Sequence, residues 1–255
     1  MLAIDRRKSI MKMLVEYKSV TVSELSKVFK ITEETVRRDL EKLEKDGLLK
    51  RTYGGAVLVD SVTEDLPVSV REISNIEGKE AVGKKASDLV EDGDVLMLDS
   101  STTALQVAKN IKNKTVTVIT NSEKVVIELA GVQNIKVIST GGTLRPSSMS
   151  FVGPQAENSA TQYNGDLFFM SCGGISVSKG LTDTNELEAE MKKVMMGCAR
   201  HVVLLIDHTK INRTGFVKIG PFSKISTIIV DTPLPCDLED ELKNNNVKIV
   251  ICDEH

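Results

Sequence analysis

Seven short apolar runs in the last two thirds of the chain, separated by amphipathic stretches, leave it few ways to fold. They are Val95–Leu98, Val116–Ile119, Ile135–Ile138, Leu167–Met170, Val202–Ile206, Ile228–Val230 and Val247–Ile251. Each is too short for a helix and almost uninterrupted by polar residues, which marks a strand buried on both faces. Strands of this kind that alternate with helices predict an α/β unit with a mainly parallel sheet covered on both sides. The longest run is far too short to cross a bilayer, so no membrane partner is expected. The start, Met1-Leu2-Ala3-Ile4-Asp5-Arg6-Arg7-Lys8, brings charge at once and no apolar core of a signal peptide. Four cysteines stand far apart with no Cys-x-x-Cys pair. They fit a reducing cytoplasm better than a disulfide framework or a zinc site, and no cofactor is expected.

The first quarter reads differently. Residues 1–58 hold 13 Lys and Arg against 9 Asp and Glu, while the rest holds 20 against 27. A basic head on an acidic body suits a nucleic-acid-binding domain joined to something else. Ile10, Met11 and Leu14 predict a helix over 5–17. A β-type stretch, Val20-Thr21-Val22, follows, and Ser23 is read as the N-cap of a second helix carrying Leu25, Val28 and Phe29. Thr32 is the N-cap candidate of a third helix over 33–46, stopped by Gly47. Leu48–Tyr53 and Ala56–Val59 then form two strands about Gly54-Gly55, a hairpin wing. The domain reading is a winged helix-turn-helix over 1–59, a polar linker over 60–76, and the α/β unit over 77–255.

On a wheel of about 100° per residue the third helix turns Val36, Leu40 and Leu43 inward. Glu34, Thr35, Arg38, Lys42 and Lys45 lie opposite, with Arg37 on the flank. Arg there can bond guanine O6 and N7, and Thr can meet a thymine methyl or a phosphate. Lys50, Arg51 and Tyr53 on the wing reach the neighbouring backbone. An ion-paired, solvated helix would show a similar face through Glu34–Arg38 and Glu41–Lys45. The order helix, helix, tight turn, helix, Gly-Gly hairpin favours DNA. The DNA-binding candidates are Thr32, Glu34, Thr35, Arg37, Arg38, Lys42, Lys50, Arg51 and Tyr53.

In the second unit five strand ends share a chemistry. They are Asp99-Ser100-Ser101-Thr102-Thr103, Thr120-Asn121-Ser122, Thr140-Gly141-Gly142-Thr143, Ser171-Cys172-Gly173-Gly174 and Asp207-His208-Thr209-Lys210. In an open parallel sheet these ends face one edge, where ligands bind. A helix N-terminus after Asp99–Thr103 offers unpaired amides and partial positive charge, which suits a phosphate. Lys210 can neutralise it, and Asp99 and Asp207 can accept hydroxyl protons.

Thr21–Ser26, the run Thr35-Val36-Arg37-Arg38-Asp39-Leu40, Gly47–Arg51 and Tyr53-Gly54-Gly55-Ala56 resemble the head of the DeoR family of bacterial transcription regulators. The resemblance continues to about residue 235. Its D-x-[GS]-[ST]-T loop matches Asp99 to Thr103, its Thr-Asn matches Thr120-Asn121, its Gly-Gly matches Gly141-Gly142, and its D-x-x-K matches Asp207 to Lys210. Ser100-Ser101 and Cys172 depart from residues frequent there. The resemblance implies a sensor whose fold is like ribose-5-phosphate isomerase. It also implies binding to a double-stranded operator, a sugar-phosphate effector, and assembly as a dimer or tetramer. The effector candidates are Asp99, Ser100, Ser101, Thr102, Thr103, Thr120, Asn121, Ser122, Gly141, Gly142, Gly173, Glu188, Lys192, Asp207 and Lys210. Glu188 and Lys192 share a helix face and are also readable as a surface ion pair of little weight. The alternative function is a sugar-phosphate isomerase with an accessory head, but nothing in the sequence aims a carboxylate at a substrate carbon. The reading is therefore a cytoplasmic repressor of carbohydrate use, not an enzyme.

Overall fold

A computed structural model describes residues 1–45, 47–57 and 66–252. Asp46, the Leu58-Val59 end of the expected wing, linker residues 60–65 and His255 lie outside the described residues. The chain divides into two compact units, Met1–Ser74 and Asn75–His255.

The first unit contains α1 (Ala3–Tyr17), β1 (Ser19–Thr21), α2 (Val22–Phe29), α3 (Glu33–Lys45), β2 (Lys50–Thr52), β3 (Gly55–Val57) and α4 (Val68–Ile73). Ile10, Leu14, Leu25, Val36 and Leu40 form its core, each 1% exposed or less. The N-cap of α2 is Thr21, not Ser23. Thr21 accepts from the Glu24 amide while Glu24 reaches back to the Thr21 amide, a reciprocal cap that Ser23 is placed too late to make. Thr32 caps α3 through the Thr35 amide, and the two threonine hydroxyls bond at 2.9 Å. Gly47 ends the helix in the left-handed region at φ 71°, with Leu48 N–H returning to Leu43 C=O.

β2 and β3 pair antiparallel, Lys50 with Val57 and Thr52 with Gly55. Only Tyr53 and Gly54 turn the hairpin, so Gly55 belongs to a strand rather than to the turn. β3 also pairs with β1, where a Cβ on Gly55 would lie 1.9 Å from the Val20 carbonyl oxygen. The described part of the expected linker is largely helical. α4 buries Val70 in the core of the first unit, with Ile73 packed against it, and Asn75 opens the second.

The second unit runs α5 (Ile76–Ser87), β4 (Val95–Leu98), α6 (Thr102–Asn110), β5 (Val116–Thr120), α7 (Glu123–Leu129) and β6 (Ile135–Ser139). A hairpin of β7 (Thr143–Arg145) and β8 (Ser150–Val152) follows, then α8 (Pro154–Ala160) and β9 (Gly165–Met170). After it come β10 (Gly174–Ser176), β11 (Gly180–Asp183), α9 (Glu186–Gly197), β12 (Ala199–Ile206), β13 (Val217–Gly220), β14 (Thr227–Val230), α10 (Cys236–Asn244) and β15 (Lys248–Ile251). All seven apolar runs enter one parallel sheet of order β15-β14-β12-β9-β4-β5-β6.

Both faces of this sheet are covered. On β12, Val202, Leu204 and Ile206 join a core with α8, α9 and α10, while Val203 and Leu205 join a second core with α5, α6 and α7. The five polar strand ends belong to neighbouring strands, β12-β9-β4-β5-β6, so parallel pairing brings them along one edge. The strand order reverses between β4 and β9, which is where open α/β sheets leave a crevice. Two small antiparallel sheets, β7-β8 and β10-β11-β13, arise from loops that leave this edge.

Candidate functional sites on α3 and at the sheet edge

On α3 the core-facing stripe contains Val36, Leu40 and Leu43, as expected, and also Asp39. Asp39 is 7% exposed and accepts from Arg6 Nε of α1 at 2.6 Å. This ion pair sits beneath the helix, and sequence reading missed it because the partners are far apart in the chain. Thr32, Glu34, Arg37, Arg38, Lys42, Lys50, Arg51 and Tyr53 are all exposed, and Thr35 is partly so. Arg37 pairs with Glu33 at 2.7 Å, Arg38 with Glu34 at 3.3 Å and Lys45 with Glu41 at 2.8 Å. The Arg51 amide donates to Glu44 at 2.8 Å, which ties the wing to α3. The face is therefore cationic side chains held by weak, solvated pairs that a phosphate or a base edge can replace.

The sheet edge is organised differently. Asp99, at the end of β4, accepts from the amides of Ser101 at 2.9 Å and Ser171 at 3.0 Å, and so joins the ends of β4 and β9. Lys192 of α9 lies 3.8 Å from Asp99 and donates to Asp183 at 2.5 Å. Glu188, one turn earlier on α9, accepts from Ser100 at 2.9 Å and from Ser150 at 2.5 Å. Ser148 bonds Ser150 at 2.8 Å and receives Arg145 at 2.9 Å. Asp99, Asp183, Glu188 and Lys192 are each 7% exposed or less. The surface reading of Glu188 and Lys192 is thus corrected: both are buried, and the direct partner of Lys192 is Asp183. Ser148 and Ser150 were absent from the candidate set, and Asp183 figures in the sequence reading only as a carboxylate base for the isomerase alternative, not as an effector residue. Ser148 lies in the turn before β8 and Ser150 opens that strand, so no strand periodicity signalled the pair.

Burial and the cluster's own charges and hydrogen bonds compete over its protonation. It pushes the Asp99 carboxyl up against the pull of Lys192 and of its amide donors. For Glu188 burial also pushes upward, but Lys192 and the hydroxyls of Ser150, Ser148 and Ser100 outweigh it and hold the carboxyl below its ordinary value. Burial disfavours the Lys192 ammonium, yet Asp183, Asp99 and Glu188 hold it above its ordinary range. The Cys172 thiol is pushed up to about 12 by burial and by Asp183, so it stays protonated and is a poor nucleophile.

The other edge residues divide into braces and open groups. Thr120 donates to the Leu98 carbonyl at 2.7 Å and accepts from the Ser122 amide at 3.0 Å, and Ser122 caps α7. Those hydroxyls are used within the fold. Gly142, at φ 108°, packs where a Cβ would lie 2.9 Å from that of Ala156, while Gly141 has open space. At Gly173 a Cβ would lie 3.1 Å from Asp183 Cα. Ser101 caps α6 through the Ala104 amide. The amides of Thr102 and Thr103 have no acceptor among the described residues. The same is true of donors to Asn121 Oδ1 and Asp207 Oδ2, both buried. Asp207 Oδ1 accepts from the Thr209 amide at 3.0 Å and from its hydroxyl. Lys210 is half-buried, and its charge acts on the Cys172 thiol from the neighbouring strand end.

Two family profiles match the chain. "DeoR-like helix-turn-helix domain" covers residues 6–62, and "DeoR C terminal sensor domain" covers residues 74–232. The "Uncharacterized HTH-type transcriptional regulator YulB" of Bacillus subtilis is 41% identical, over 98% of this chain and 96% of its own. The "Putative aga operon transcriptional repressor" of Escherichia coli O157:H7 is 34% identical, over 98% of this chain and 94% of its own. Among solved structures, ribose 5-phosphate isomerase A from Methanocaldococcus jannaschii overlaps 55% of this chain and 56% of its own, at 20% identity and a TM-score of 0.41. With a DNA-binding head and a sensor unit matched across most of its length, this chain belongs to the DeoR family of transcription regulators and is not an enzyme.

Proposed function

We propose that the chain represses a carbohydrate-use operon and that a phosphorylated sugar bound at the sheet edge changes its operator affinity. The observation that carries this reading is the pairing of two kinds of open group on one edge. The amides of Thr102 and Thr103 at the start of α6, with Lys210, suit an oxyanion. Asp207 Oδ2 and Asn121 Oδ1 are acceptors awaiting donors, which sugar hydroxyls supply. Arg37, Arg38, Thr35 and Lys42 read the major groove, Lys50, Arg51 and Tyr53 hold the flanking backbone, and Thr32 and Glu34 set the start of the helix. The protein works in the cytoplasm, as a dimer or tetramer that offers paired heads to a repeated operator.

The test is a thermal-shift screen of the purified chain against phosphosugars and their unphosphorylated parents, followed by operator titrations. One phosphosugar should stabilise the chain where its parent does not. It should also shift operator affinity by about 5–150-fold. Stabilisation without any shift in operator affinity, or no stabilisation by any phosphosugar, defeats the reading. Light scattering of the purified chain checks the assembly.

A further inference from the structure

We propose that Asn75, Asp231 and His208 form a latch that transmits the state of the sheet edge to the residue from which the chain leaves for the DNA-binding head. This rests on the edge being the effector site. Asp231 follows β14 directly, so it lies at the same carboxyl edge as Asp207 of the adjacent β12. Its carboxylate is 7% exposed and fully engaged. Oδ1 accepts from the His208 amide at 2.7 Å, and Oδ2 accepts from His208 Nδ1 at 2.8 Å and from Asn75 Nδ2 at 3.2 Å.

Both ends of this chain of contacts have a function to reach. His208 opens the short 3-10 turn His208–Lys210, which Asp207 caps through Thr209. A ligand that engages Asp207 Oδ2 and Lys210 therefore pulls on the turn that Asp231 grips. Asn75 follows Ser74, the last residue of the first unit, and is the N-cap of α5. Its backbone is left-handed, φ 46° and ψ 48°, and the Lys79 amide bonds its carbonyl at 3.2 Å. A side chain fixed to Asp231 thus sets the direction in which the chain enters the sensor.

Gly78 shows how close this fit is. A Cβ there would lie 2.3 Å from Asp231 Oδ2 and 2.6 Å from Asn75 Nδ2. Further along α5, a Cβ on Gly83 would lie 2.3 Å from that of Gln106 on α6, the helix that begins at Thr102. The first helix of the sensor is consequently pinned to two elements that both start at the effector edge. A carboxylate with all its donors supplied from an edge turn and an entry residue has the form of a mechanical tie, not of a ligand group.

The experiment needs no effector. Thr209→Ala removes the hydroxyl part of the brace on the edge turn and leaves the amide bond, and amide hydrogen exchange is followed in the full chain. In the native background it should speed exchange in the first turns of α5, from Lys79 to Val82, by about fivefold. With Asp231→Ala already present, Thr209→Ala should add nothing there. Gly78→Ala should loosen the same turns by displacing the Asp231 carboxylate without removing any polar group from the chain. It substitutes for Asp231→Ala if that variant fails to fold, and protected amides in β4 and β12 serve as the folding control. Operator affinity should follow the same cycle, changed by Thr209→Ala alone and unchanged by it once the latch is open. The proposal is overturned if Thr209→Ala leaves α5 untouched, or if it acts equally with and without Asp231. Failure of the phosphosugar screen would leave these outcomes as they stand.

Discussion

The ionic groups on the open face of α3 and those at the sheet edge live in opposite surroundings. On α3 the Arg38–Glu34 pair has side chains 78% and 64% exposed, and water and salt screen it. At the sheet edge the Lys192–Asp183 pair is 8% and 10% exposed, with Asp99 2% exposed beside it. The first arrangement leaves cations free to exchange a weak partner for DNA. The second is fully paired within the fold, and its interactions cannot be withdrawn one at a time without cost. On the proposed function, the surface that meets a long polyanion is built from solvated charge and the site that recognises a small molecule from fixed charge.

The largest test of this contrast is to remove the ammonium from the buried cluster. Lys192→Met leaves Asp183 and Asp99 buried without their cation, and should destabilise the sensor unit by about 3–5 kcal/mol in urea unfolding. Loss of an exposed charge on α3 should change stability by about 0.5 kcal/mol or less. Equal costs at the two places would erase the distinction.

A pH series sharpens the same point. The Glu188 carboxyl is held below its ordinary value of 4.5, burial being outweighed by Lys192 and the serine hydroxyls. Its stabilising share is present above that ordinary value and is lost as pH falls through the lower folded value. The Lys192 ammonium is raised, so its share is complete below its ordinary value of 10.5 and is lost only as pH climbs through the folded value. The Glu188 and Lys192 shares should therefore persist across neutral pH, and the Glu188 share should be lost on acidification below 4.5, opposed by Asp99, whose raised carboxyl is relieved by protonation. Glu188→Gln should flatten the acid limb in unfolding curves.

How legible this contrast was depends on the range of the forces involved. The seven strands and the head's order of elements follow from local periodicity and turn residues, and all seven runs enter one sheet. The hairpin around Ser148 and Ser150 has three-residue strands such as Thr143-Leu144-Arg145, too short for any period to show. Its hydroxyls acquire meaning only from Glu188, 38 residues beyond Ser150. α4 was read as linker because six residues after a proline carry little helical signal. Its burial depends on a core assembled from α1 to α3. Asp39 and Lys192 share one lesson: a charged residue on an amphipathic helix looks solvated until its distant partner, Arg6 or Asp183, is known.

A smaller effect is expected on the open face of α3. Arg38→Ala should weaken operator binding by about 1–3 kcal/mol, the loss of a base contact, and relax the preference at one base position. Fluorescence anisotropy on operator variants at fixed salt measures both. If binding falls equally on all sequences, Arg38 touches phosphate and not base.

The smallest effect belongs to Lys50, and it separates the two units by salt instead of by stability. Lys50 is exposed on β2 and has no carboxylate partner among the described residues, whereas its neighbour Arg51 is tethered to Glu44. Free cations on a wing act by displacing counterions from the duplex. Lys50→Ala should therefore reduce the slope of log affinity against log salt by about one, equally on operator and on random duplex. Arg51→Ala should reduce it less, because Glu44 already offsets part of the Arg51 charge in the native chain. Effector affinity should hardly respond to salt in either variant, since charges buried at the sheet edge are poorly screened. A steep salt dependence of effector binding would mean that the ligand meets solvated charge after all, and that the sensor edge works by the same physics as the head.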